Sequence, residues 1–425
     1  MDNESTFDSS HTEVARVLIC PDSFKGSISS ADAGRAMAKG ISQVFPDAEL
    51  VCVSIADGGE GTLDALVSAE NRIEIYVSDP VGRRIKSEYG CLVDEIGTRT
   101  AVIESARAAG LTLLSENERD PRLTSTYGVG EMIKDALDRG FERILLTVGG
   151  SATNDCGCGM AAALGARFYG ADGECFVPVG GSLSEIKKID VSDFDRRLSD
   201  VNIHIACDVK NPLTGKHGSS AVYAPQKGAG RSAVAELERG MVHCAAIISK
   251  MCGRDVSVIP GAGAAGGIGV PLIAFCGARM ISGIDAVLDA VGFDGLMTGC
   301  DAVITGEGRI DAQSLCGKAV SGIARRAKAR GVPTYVICGS VGDGIDPEGD
   351  LVKNAGIKGI ASISDESYSC LNSTNSTNSP NGTNSTNNTN SANSTKGVTI
   401  EYSMAHAAEL IERTAKRLAL RMATN

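Results

Sequence analysis

The chain has 425 residues, enough for two domains with separate cores, and 43 % of them are hydrophobic, as in ordinary folded proteins. The formal net charge of −11 argues against a nucleic-acid-binding surface, and no apolar run approaches the roughly 20 residues of a membrane span. The first twelve residues are polar and acidic, unlike a targeting peptide. We therefore expect a cytoplasmic monomer or homodimer that binds neither nucleic acid nor membrane.

The 14 cysteines lie largely in apolar segments, such as those around Cys20, Cys52, Cys207, Cys276 and Cys338. This placement favours reduced thiols in the protein interior over a disulfide framework. A zinc site is not expected either. Two cysteines one residue apart, at 156 and 158, have no second pair to complete a ligand set.

The N-terminal part alternates strands and helices. Residues 14–20 predict a strand, and Ser29 with Asp32 predicts a capping box at the start of the following helix. Residues 50–55 predict a second strand, which leads through a glycine-rich loop into a helix at 62–68. This order is typical of a parallel α/β sheet.

The pattern changes between residues 71 and 101, where short alternating segments predict antiparallel or mixed strands in another domain. Further strands are predicted at 143–148 and 202–207, each followed by a polar, glycine-bearing loop. A short strand at 256–259 is expected to precede the glycine run that begins at Gly261.

The segment from Asp301 to Gly339 predicts a strand–loop–helix–strand unit. Residues 302–305 read as a buried strand, and Gly306 with Gly308 predicts a tight turn, since glycine tolerates positive φ. A helix is expected from residue 317 and a second strand at 334–338. Ligands bind beyond the carboxyl ends of strands in open α/β sheets, so the loop after residue 305 is a candidate site.

The C-terminal part contains a segment of almost only Asn, Ser and Thr within 369–397, which predicts a disordered surface insertion. A last helix is expected at 404–422. The fold class is therefore two α/β domains. The first is a parallel-sheet domain built from 13–70 and 287–425, and the second is a mixed domain inserted at 71–286.

Gly261, Gly263 and Gly266 match the spacing of a dinucleotide-binding fingerprint. Three interpretations remain open at this point: a nicotinamide cofactor site, a loop whose amides bind phosphate, and tight packing. A Walker A sequence and the protein-kinase motifs are both absent from the sequence.

Carboxylates and cations recur in the loops that follow predicted strands. Phosphoryl transfer requires carboxylates for Mg²⁺, a base for the attacking hydroxyl, and cations or amides around the phosphates. The alternative for each carboxylate is a helix cap. The acidic candidates are Asp57, Glu60, Asp208, Glu307 and Asp311, and the basic ones are Lys25, Lys210, Lys216, Arg309 and Lys318.

Seven of these loops, in this order, resemble the type I glycerate kinase family. They read PDSFKGS from Pro21, ADGGEGT from Ala56, VGGSATND from Val148, DVKNPLTGKHG from Asp208, PQKGA from Pro225, GAGAAGG from Gly261 and TGEGRIDAQ from Thr305. The resemblance implies ATP- and Mg²⁺-dependent phosphorylation of D-glycerate, with 2-phosphoglycerate as the favoured product. It also implies a flavodoxin-like domain split by an inserted restriction-enzyme-like domain.

We assign roles on this basis as hypotheses. Asp208, Asp311 and Lys25 are the candidate catalytic residues, with one aspartate orienting or deprotonating the hydroxyl. Arg309, Lys210 and Ser23 are the candidate substrate-binding residues, and Asp57 and Glu60 the candidate metal ligands. The candidate nucleotide-binding residues are Gly149, Gly150, Ser151, Asn154, Gly261, Gly263, Gly266 and Gly267. A nicotinamide-dependent hydroxyacid dehydrogenase and a non-catalytic ligand-binding module are the alternatives.

Overall fold

The computed structural model describes residues 14–24, 27–56, 58–59, 61–94, 96–311, 314–315, 319–364, 402 and 404–424. The strands are β1 Arg16–Ile19, β2 Glu49–Cys52, β3 Arg72–Ser78, β4 Arg84–Val93, β5 Arg99–Glu104, β6 Arg143–Thr147, β7 Arg167–Tyr169, β8 Cys175–Phe176, β9 Lys188–Asp190, β10 Asn202–Ala206, β11 Arg279–Ile281, β12 Ala302–Ile310, β13 Thr334–Val341 and β14 Ile357–Ser362.

The α-helices follow the same chain order. They are α1 Ser30–Ser42, α2 Thr62–Leu66, α3 Ala106–Ala109, α4 Tyr127–Asp138, α5 Cys158–Ala163, α6 Ser219–Tyr223, α7 Arg231–Cys252, α8 Val270–Cys276, α9 Gly283–Ala290, α10 Phe293–Leu296, α11 Ala319–Ala329, α12 Asp350–Asn354 and α13 Ala407–Ala423. In the part of the chain described, no helix is both long and apolar enough to cross a bilayer.

The chain forms two compact units. The first comprises Met1–Ile55 and Phe293–Asn425, and the second comprises Ala56–Gly292. The chain thus passes between units at 55/56 and 292/293 rather than at the predicted 70/71 and 286/287. Helix α2 belongs to the second unit because Leu63 and Val67 lie against Gly90 of β4. The predicted junction at 286/287 would have cut helix α9.

The first unit contains a five-stranded sheet in the order β14-β13-β12-β1-β2, in which every pairing is parallel. Numbered within the unit this is 5-4-3-1-2, the order of flavodoxin-like folds. Helices α1 and α13 cover one face through residues such as Met37 and Ile411. Helix α11 covers the other face through Val320 and Ala324. The predicted parallel-sheet domain is confirmed.

The predicted N-cap of α1 is also present, although the described residues show only the Ser29 half of the capping box. Ser29 is the N-cap, and its hydroxyl oxygen accepts a hydrogen bond from the backbone N–H of Asp32 at 3.1 Å. The last helix, α13, begins three residues after the expected start at 404 and ends one residue after the expected end at 422. Both helices carry a regular apolar face, which explains why their positions could be read from the sequence.

Strand β12 is longer than predicted. It continues through Gly306 and Gly308 to Ile310, and it pairs with β13 as far as Val341. A Cβ atom at Gly306 would lie 2.1 Å from the backbone oxygen of Ile337. The glycine therefore permits close approach of two strands and does not form the expected turn.

The second unit has a six-stranded sheet in the order β11-β10-β6-β5-β4-β3. Strands β5, β6, β10 and β11 are parallel to one another, whereas β3, β4 and β5 pair antiparallel. A small antiparallel sheet has the order β8-β7-β9. The core between sheet and helices includes Met132 of α4, Leu146 of β6 and Met241 of α7. The predicted fold class, two α/β domains with a mixed sheet in the inserted one, is confirmed.

Three segments differ from expectation. Residues 256–259 do not form a strand, so the glycine run from Gly261 lacks the strand that the dinucleotide fingerprint requires. Helix α7, of 22 residues, and strand β14 were not predicted. The predicted insertion at 369–397 lies outside the described residues.

All cysteines in the described part of the chain are free thiols, as expected. Cys20 and Cys338 are buried, whereas Cys207 and Cys276 are partly buried. Cys52 is exposed, contrary to the predicted interior position, because β2 is the edge strand of its sheet.

Candidate functional site

A cavity of about 250 Å³ lies in the second unit, at the carboxyl ends of β6 and β10. Its wall includes Gly149, Gly150 and Ser151 from the loop after β6, and Asp208 from the loop after β10. These predicted site residues are thus brought together, because neighbouring parallel strands end at the same edge of a sheet. Lys227, which the sequence analysis did not single out, also lines this cavity.

The loop after β6 is fixed by backbone hydrogen bonds. The N–H of Leu111 donates to the carbonyl oxygen of Gly150 at 2.9 Å, and the N–H of Ala152 donates to that of Ala109 at 2.8 Å. Within the described residues, the N–H groups of Gly149 and Gly150 have no hydrogen-bond partner. Two backbone donors in a rigid loop at a cavity wall are suited to an anionic ligand.

Lys227 ends a 3₁₀ turn, Pro225–Lys227, and its side chain is only 2 % exposed. Its ammonium group donates to the hydroxyl of Ser151 at 2.8 Å and to the carbonyl oxygen of Thr153 at 2.7 Å. Burial lowers the pKa of Lys227 to about 7, while the carboxylate of Asp155 acts in the opposite direction. The PQKGA motif contained this residue, but nothing in its local pattern signalled a buried amine.

Asp208 lines the cavity, and its Oδ1 accepts a hydrogen bond from the N–H of Gly283, the first residue of α9, at 2.7 Å. This contact is the helix-capping role that was the alternative for each predicted carboxylate. The residue is nevertheless exposed to solvent and is part of the cavity wall. It can therefore hold the helix and also face a ligand.

Asn154 does not fit its predicted role. The side chain is fully buried, donates to the hydroxyl of Ser220 at 3.2 Å and accepts from that of Ser219 at 3.2 Å. Asp155 beside it accepts hydrogen bonds from the backbone N–H and the hydroxyl of Thr126, both at 2.8 Å. Burial raises the pKa of Asp155. This end of the loop therefore joins helices together, and only its start faces the cavity.

The glycine run after residue 260 is packed against protein. The N–H groups of Gly261 and Gly263 donate to the carbonyl oxygen of Asn211, and that of Gly267 donates to Ala264. A Cβ at Gly266 would lie 2.1 Å from the oxygen of Thr153. Phosphate binding at these amides would break existing hydrogen bonds, so the geometry favours the packing interpretation. Ala264 and Ala265 do line the cavity.

The first unit presents a second group of predicted residues, where β1 and β12 end side by side. The N–H of Asp22 donates to the carbonyl oxygen of Gly306 at 2.8 Å, and the N–H of Ser23 donates to the carboxylate of Asp22 at 2.6 Å. The strand order reverses between these two strands, which is the ligand-binding position of flavodoxin-like sheets.

Arg309 and Asp311 lie at the end of β12 in the same unit. Arg309 is exposed and belongs to the strand rather than to the predicted loop. The carboxylate of Asp311 accepts from the N–H of Ser314 at 3.0 Å and from its hydroxyl at 3.2 Å. This turn holds the carboxylate in place just beyond the strand end. Both residues therefore lie at the carboxyl end of a strand, where the sequence predicted a ligand site.

The structure does not place the remaining predicted residues in the cavity wall or at the strand ends of the first unit. Lys210 is exposed in the loop after β10 and is not part of the cavity wall. Lys25, Asp57 and Glu60 lie outside the described residues. Gly58 and Gly59, which lie between Asp57 and Glu60 in the chain, do line the cavity.

A wider groove of about 680 Å³ in the second unit is strongly charged. Arg107 contacts both carboxylate oxygens of Asp64 at 2.7 Å and one of Glu88 at 2.7 Å. Glu104, 3 % exposed, accepts a hydrogen bond from the N–H of Gly61, and burial raises the pKa of its carboxyl. The groove is lined by four carboxylates, Asp64, Glu74, Glu88 and Glu104, and by two cations, Lys86 and Arg107. This excess of negative charge disfavours an anionic ligand, which leaves the cavity as the better candidate site.

Comparisons with known proteins agree with this architecture. The model of the glycerate kinase family matches residues 17–391. A glycerate kinase of Halalkalibacterium halodurans is 47 % identical over 78 % of this chain and 87 % of its own length. A glycerate 2-kinase of Escherichia coli is 43 % identical over 82 % and 90 %. The crystal structure of a protein assigned as glycerate kinase 2 from Salmonella typhimurium LT2 aligns with a TM-score of 0.77 at 36 % identity, covering 96 % of this chain and 98 % of that one.

Proposed function

Since the chain belongs to the glycerate kinase family, we propose that it transfers the γ-phosphoryl group of ATP to D-glycerate and releases ADP and phosphoglycerate. We place the phosphate on the 2-hydroxyl, following the family and the Escherichia coli relative described as a glycerate 2-kinase. The observation that carries the proposal is the family match over 17–391, which spans every predicted motif in order.

The donors at the wall of the second unit's cavity support our proposal that nucleotide phosphates bind there. The N–H groups of Gly149 and Gly150, the hydroxyl of Ser151 and the ammonium of Lys227 are all donors at its wall. Such donors stabilise the charge that spreads over the phosphoryl oxygens during transfer. Glycine at two wall positions also lets a phosphate approach the backbone.

The strand ends of the first unit support binding of the glycerate anion. Arg309 supplies a cation, and Ser23 a hydroxyl, for the glycerate carboxylate. Lys25 and Lys210 are retained in the proposal as catalytic and substrate-binding cations. A carboxylate, Asp208 or Asp311, accepts the proton of the attacking hydroxyl while its oxygen forms the new bond to phosphorus and ADP leaves.

Magnesium is the expected cofactor, and when bound it neutralises phosphate charge. Among the described residues, no group of three or more His, Cys, Asp or Glu side chains could hold a metal ion. Mg²⁺ in such enzymes takes only one or two carboxylates, with phosphate oxygens and water as the other ligands. Asp208 supplies a carboxylate at the cavity, and Asp57 and Glu60 adjoin its glycine wall in sequence. We propose Asp57 and Glu60 as the ligands.

A coupled assay of the purified full-length chain tests the activity. ADP release from Mg–ATP that depends on D-glycerate is the expected result, and phosphorus NMR of the product should show 2-phosphoglycerate. A 3-phosphoglycerate signal would correct the position of transfer. Formation of NADH from NAD and D-glycerate, without ADP release, would instead support the dehydrogenase alternative.

A further inference from the structure

The ammonium group of Lys227 is a buried cation in the cavity wall of the second unit. Its two hydrogen-bond partners, the hydroxyl of Ser151 and the carbonyl oxygen of Thr153, are both uncharged. Within the described part of the chain, no carboxylate forms an ion pair with it. The nearest acidic influence, Asp155, already accepts hydrogen bonds from Thr126 and Gly157.

A buried charge without a counter-ion is costly, and proteins normally pair such a group or neutralise it. An ammonium group has three N–H donors, of which the two contacts above use two. For the third donor the described residues provide no acceptor, and Lys227 lines the cavity. A ligand that brings a negative charge into the cavity would supply both the missing acceptor and the missing counter-ion.

The neighbouring groups favour the same kind of ligand. Gly149 and Gly150, on the same cavity wall, have N–H groups without partners among the described residues. Gly150 adopts a positive φ of 69°, as expected where successive amides turn toward one concave surface. Three donors from two chain segments thus border one small cavity.

We propose that Lys227, with the amides of Gly149 and Gly150, forms an anion-binding subsite that holds an oxyanion of a substrate, either a nucleotide phosphate or the glycerate carboxylate. The choice between these two sources rests on the proposed kinase function, but the subsite itself does not. Lys227 is then a substrate-binding residue, and its cavity position explains why a cation is kept in the interior.

The subsite predicts proton uptake on binding. The pKa of Lys227 is lowered to about 7 in the free protein, and a bound anion raises it. Above pH 7 the amine is largely neutral, so binding draws a proton from solution, approaching one per site near pH 8 to 9 by linkage. The affinity for the anion should fall by up to about tenfold per pH unit above pH 7. Among the described residues, the titratable side chains at the amine and its cavity are Asp155, Asp208, Cys207 and Tyr223.

Calorimetric titration of the full-length protein at pH 8, in two buffers with different heats of ionisation, measures this uptake directly. ADP with magnesium, D-glycerate and inorganic phosphate are titrated separately. We expect roughly 0.5–1 proton to be taken up with whichever ligand occupies the subsite. Uptake with ADP and phosphate identifies a phosphate subsite, and uptake with glycerate alone identifies a carboxylate subsite.

Lys227→Met should abolish the uptake and weaken binding of that ligand at least tenfold at pH 7. Lys250→Met, which removes an exposed lysine of α7, should behave as the unaltered protein. Lys227→Arg keeps the charge at every pH, so binding should persist without proton uptake, and this variant decides the matter if Lys227→Met does not fold.

The inference is overturned if the unaltered protein binds all three ligands without proton uptake, or if Lys227→Met binds them as tightly as the unaltered protein. These outcomes can be separated from failure of the proposed function. A protein that shows no glycerate-dependent ADP release, yet takes up a proton with phosphate, retains the subsite and loses the kinase proposal. Glycerate-dependent ADP release by Lys227→Met with unchanged KM values for both ATP and D-glycerate removes the subsite alone.

Discussion

The two units present their candidate residues in different ways. In the parallel-sheet unit, Arg309 and Asp311 stand at a strand end and are held by short-range contacts such as that between Asp311 and Ser314. In the mixed-sheet unit, Lys227 borders a cavity and contacts Ser151, 76 positions away in the chain. The first arrangement depends on local turns, and the second on the assembly of distant segments. Substitutions should therefore separate chemistry from folding more cleanly in the parallel-sheet unit.

The largest expected effect tests which unit carries the base. Asp208→Asn and Asp311→Asn, made separately, should each lower kcat by about 10²–10⁴, the usual consequence of losing a positioned base or orienting group. An amide oxygen can still accept from Gly283 or Ser314, so the local contacts and the thermal midpoint should change little. Steady-state kinetics with saturating ATP and D-glycerate provides the measurement.

Matched controls are available in both units. Asp200→Asn in the mixed-sheet unit and Asp47→Asn in the parallel-sheet unit replace exposed aspartates away from the candidate residues. Both should keep full activity. If Asp208→Asn and Asp311→Asn also keep near-full kcat, the two carboxylates are structural caps and the catalytic assignment fails. A loss in one alone assigns the base to one unit.

Within the parallel-sheet unit, the fold could be predicted where the signal is local in the sequence. The apolar faces of α1 and α13 repeat at the helical period and are readable without any tertiary information. The end of β12 was misplaced because Gly306 looks like a turn residue, whereas its role is close approach to Ile337. A glycine's partner across a sheet is not visible in a local window of sequence.

The site was partly predictable for a related reason. Gly149, Gly150 and Asp208 follow strands, and parallel strands bring their carboxyl ends together, so their meeting at one cavity could be expected. Lys227 could not be found this way, because its burial depends on Ser151 and Thr153 from another segment. The only sequence signal for Lys227 was its position in the PQKGA motif, and a motif does not indicate whether a residue is buried.

The next effect concerns binding rather than turnover. Arg309→Ala should raise the KM for D-glycerate or ATP about 10- to 100-fold, the equivalent of about 1.5–3 kcal/mol for a charged hydrogen bond, with kcat little changed. An anion clamp binds the ground state and the transition state alike, which explains the split. Arg330→Ala, an exposed arginine of the same unit, is the control. A fall in kcat without a change in either KM would show that Arg309 acts in the chemical step.

A stability measurement tests the close contact between Gly306 of β12 and Ile337 of β13, which could not be predicted from the sequence. Gly306→Ala should destabilise the parallel-sheet unit by about 1–3 kcal/mol, because a Cβ would lie 2.1 Å from the Ile337 carbonyl oxygen and a backbone atom cannot easily move away. Gly34→Ala in α1 of the same unit meets only Pro21, at 3.8 Å, and should be neutral or stabilising by about 0.5–1 kcal/mol. Urea unfolding followed by far-UV circular dichroism compares them. Equal midpoints for both variants would mean that the strands separate freely at Gly306.

The smallest effect is expected from the Asn/Ser/Thr-rich segment, which lies outside the described residues. Deletion of residues 372–396 should leave turnover within about twofold, because the segment is almost uncharged and offers no apolar face for packing. Loop length itself has little influence on stability, at roughly 0.6 kcal/mol per doubling. A variant in which the same residues are replaced by a Gly/Ser linker of equal length separates length from composition, and it should match the unaltered protein in both activity and melting temperature. Loss of soluble expression in the deletion alone would point to a spacing requirement between β14 and α13. Loss in both variants would show that these side chains make specific contacts, and that the parallel-sheet unit extends beyond the sheet and helices described.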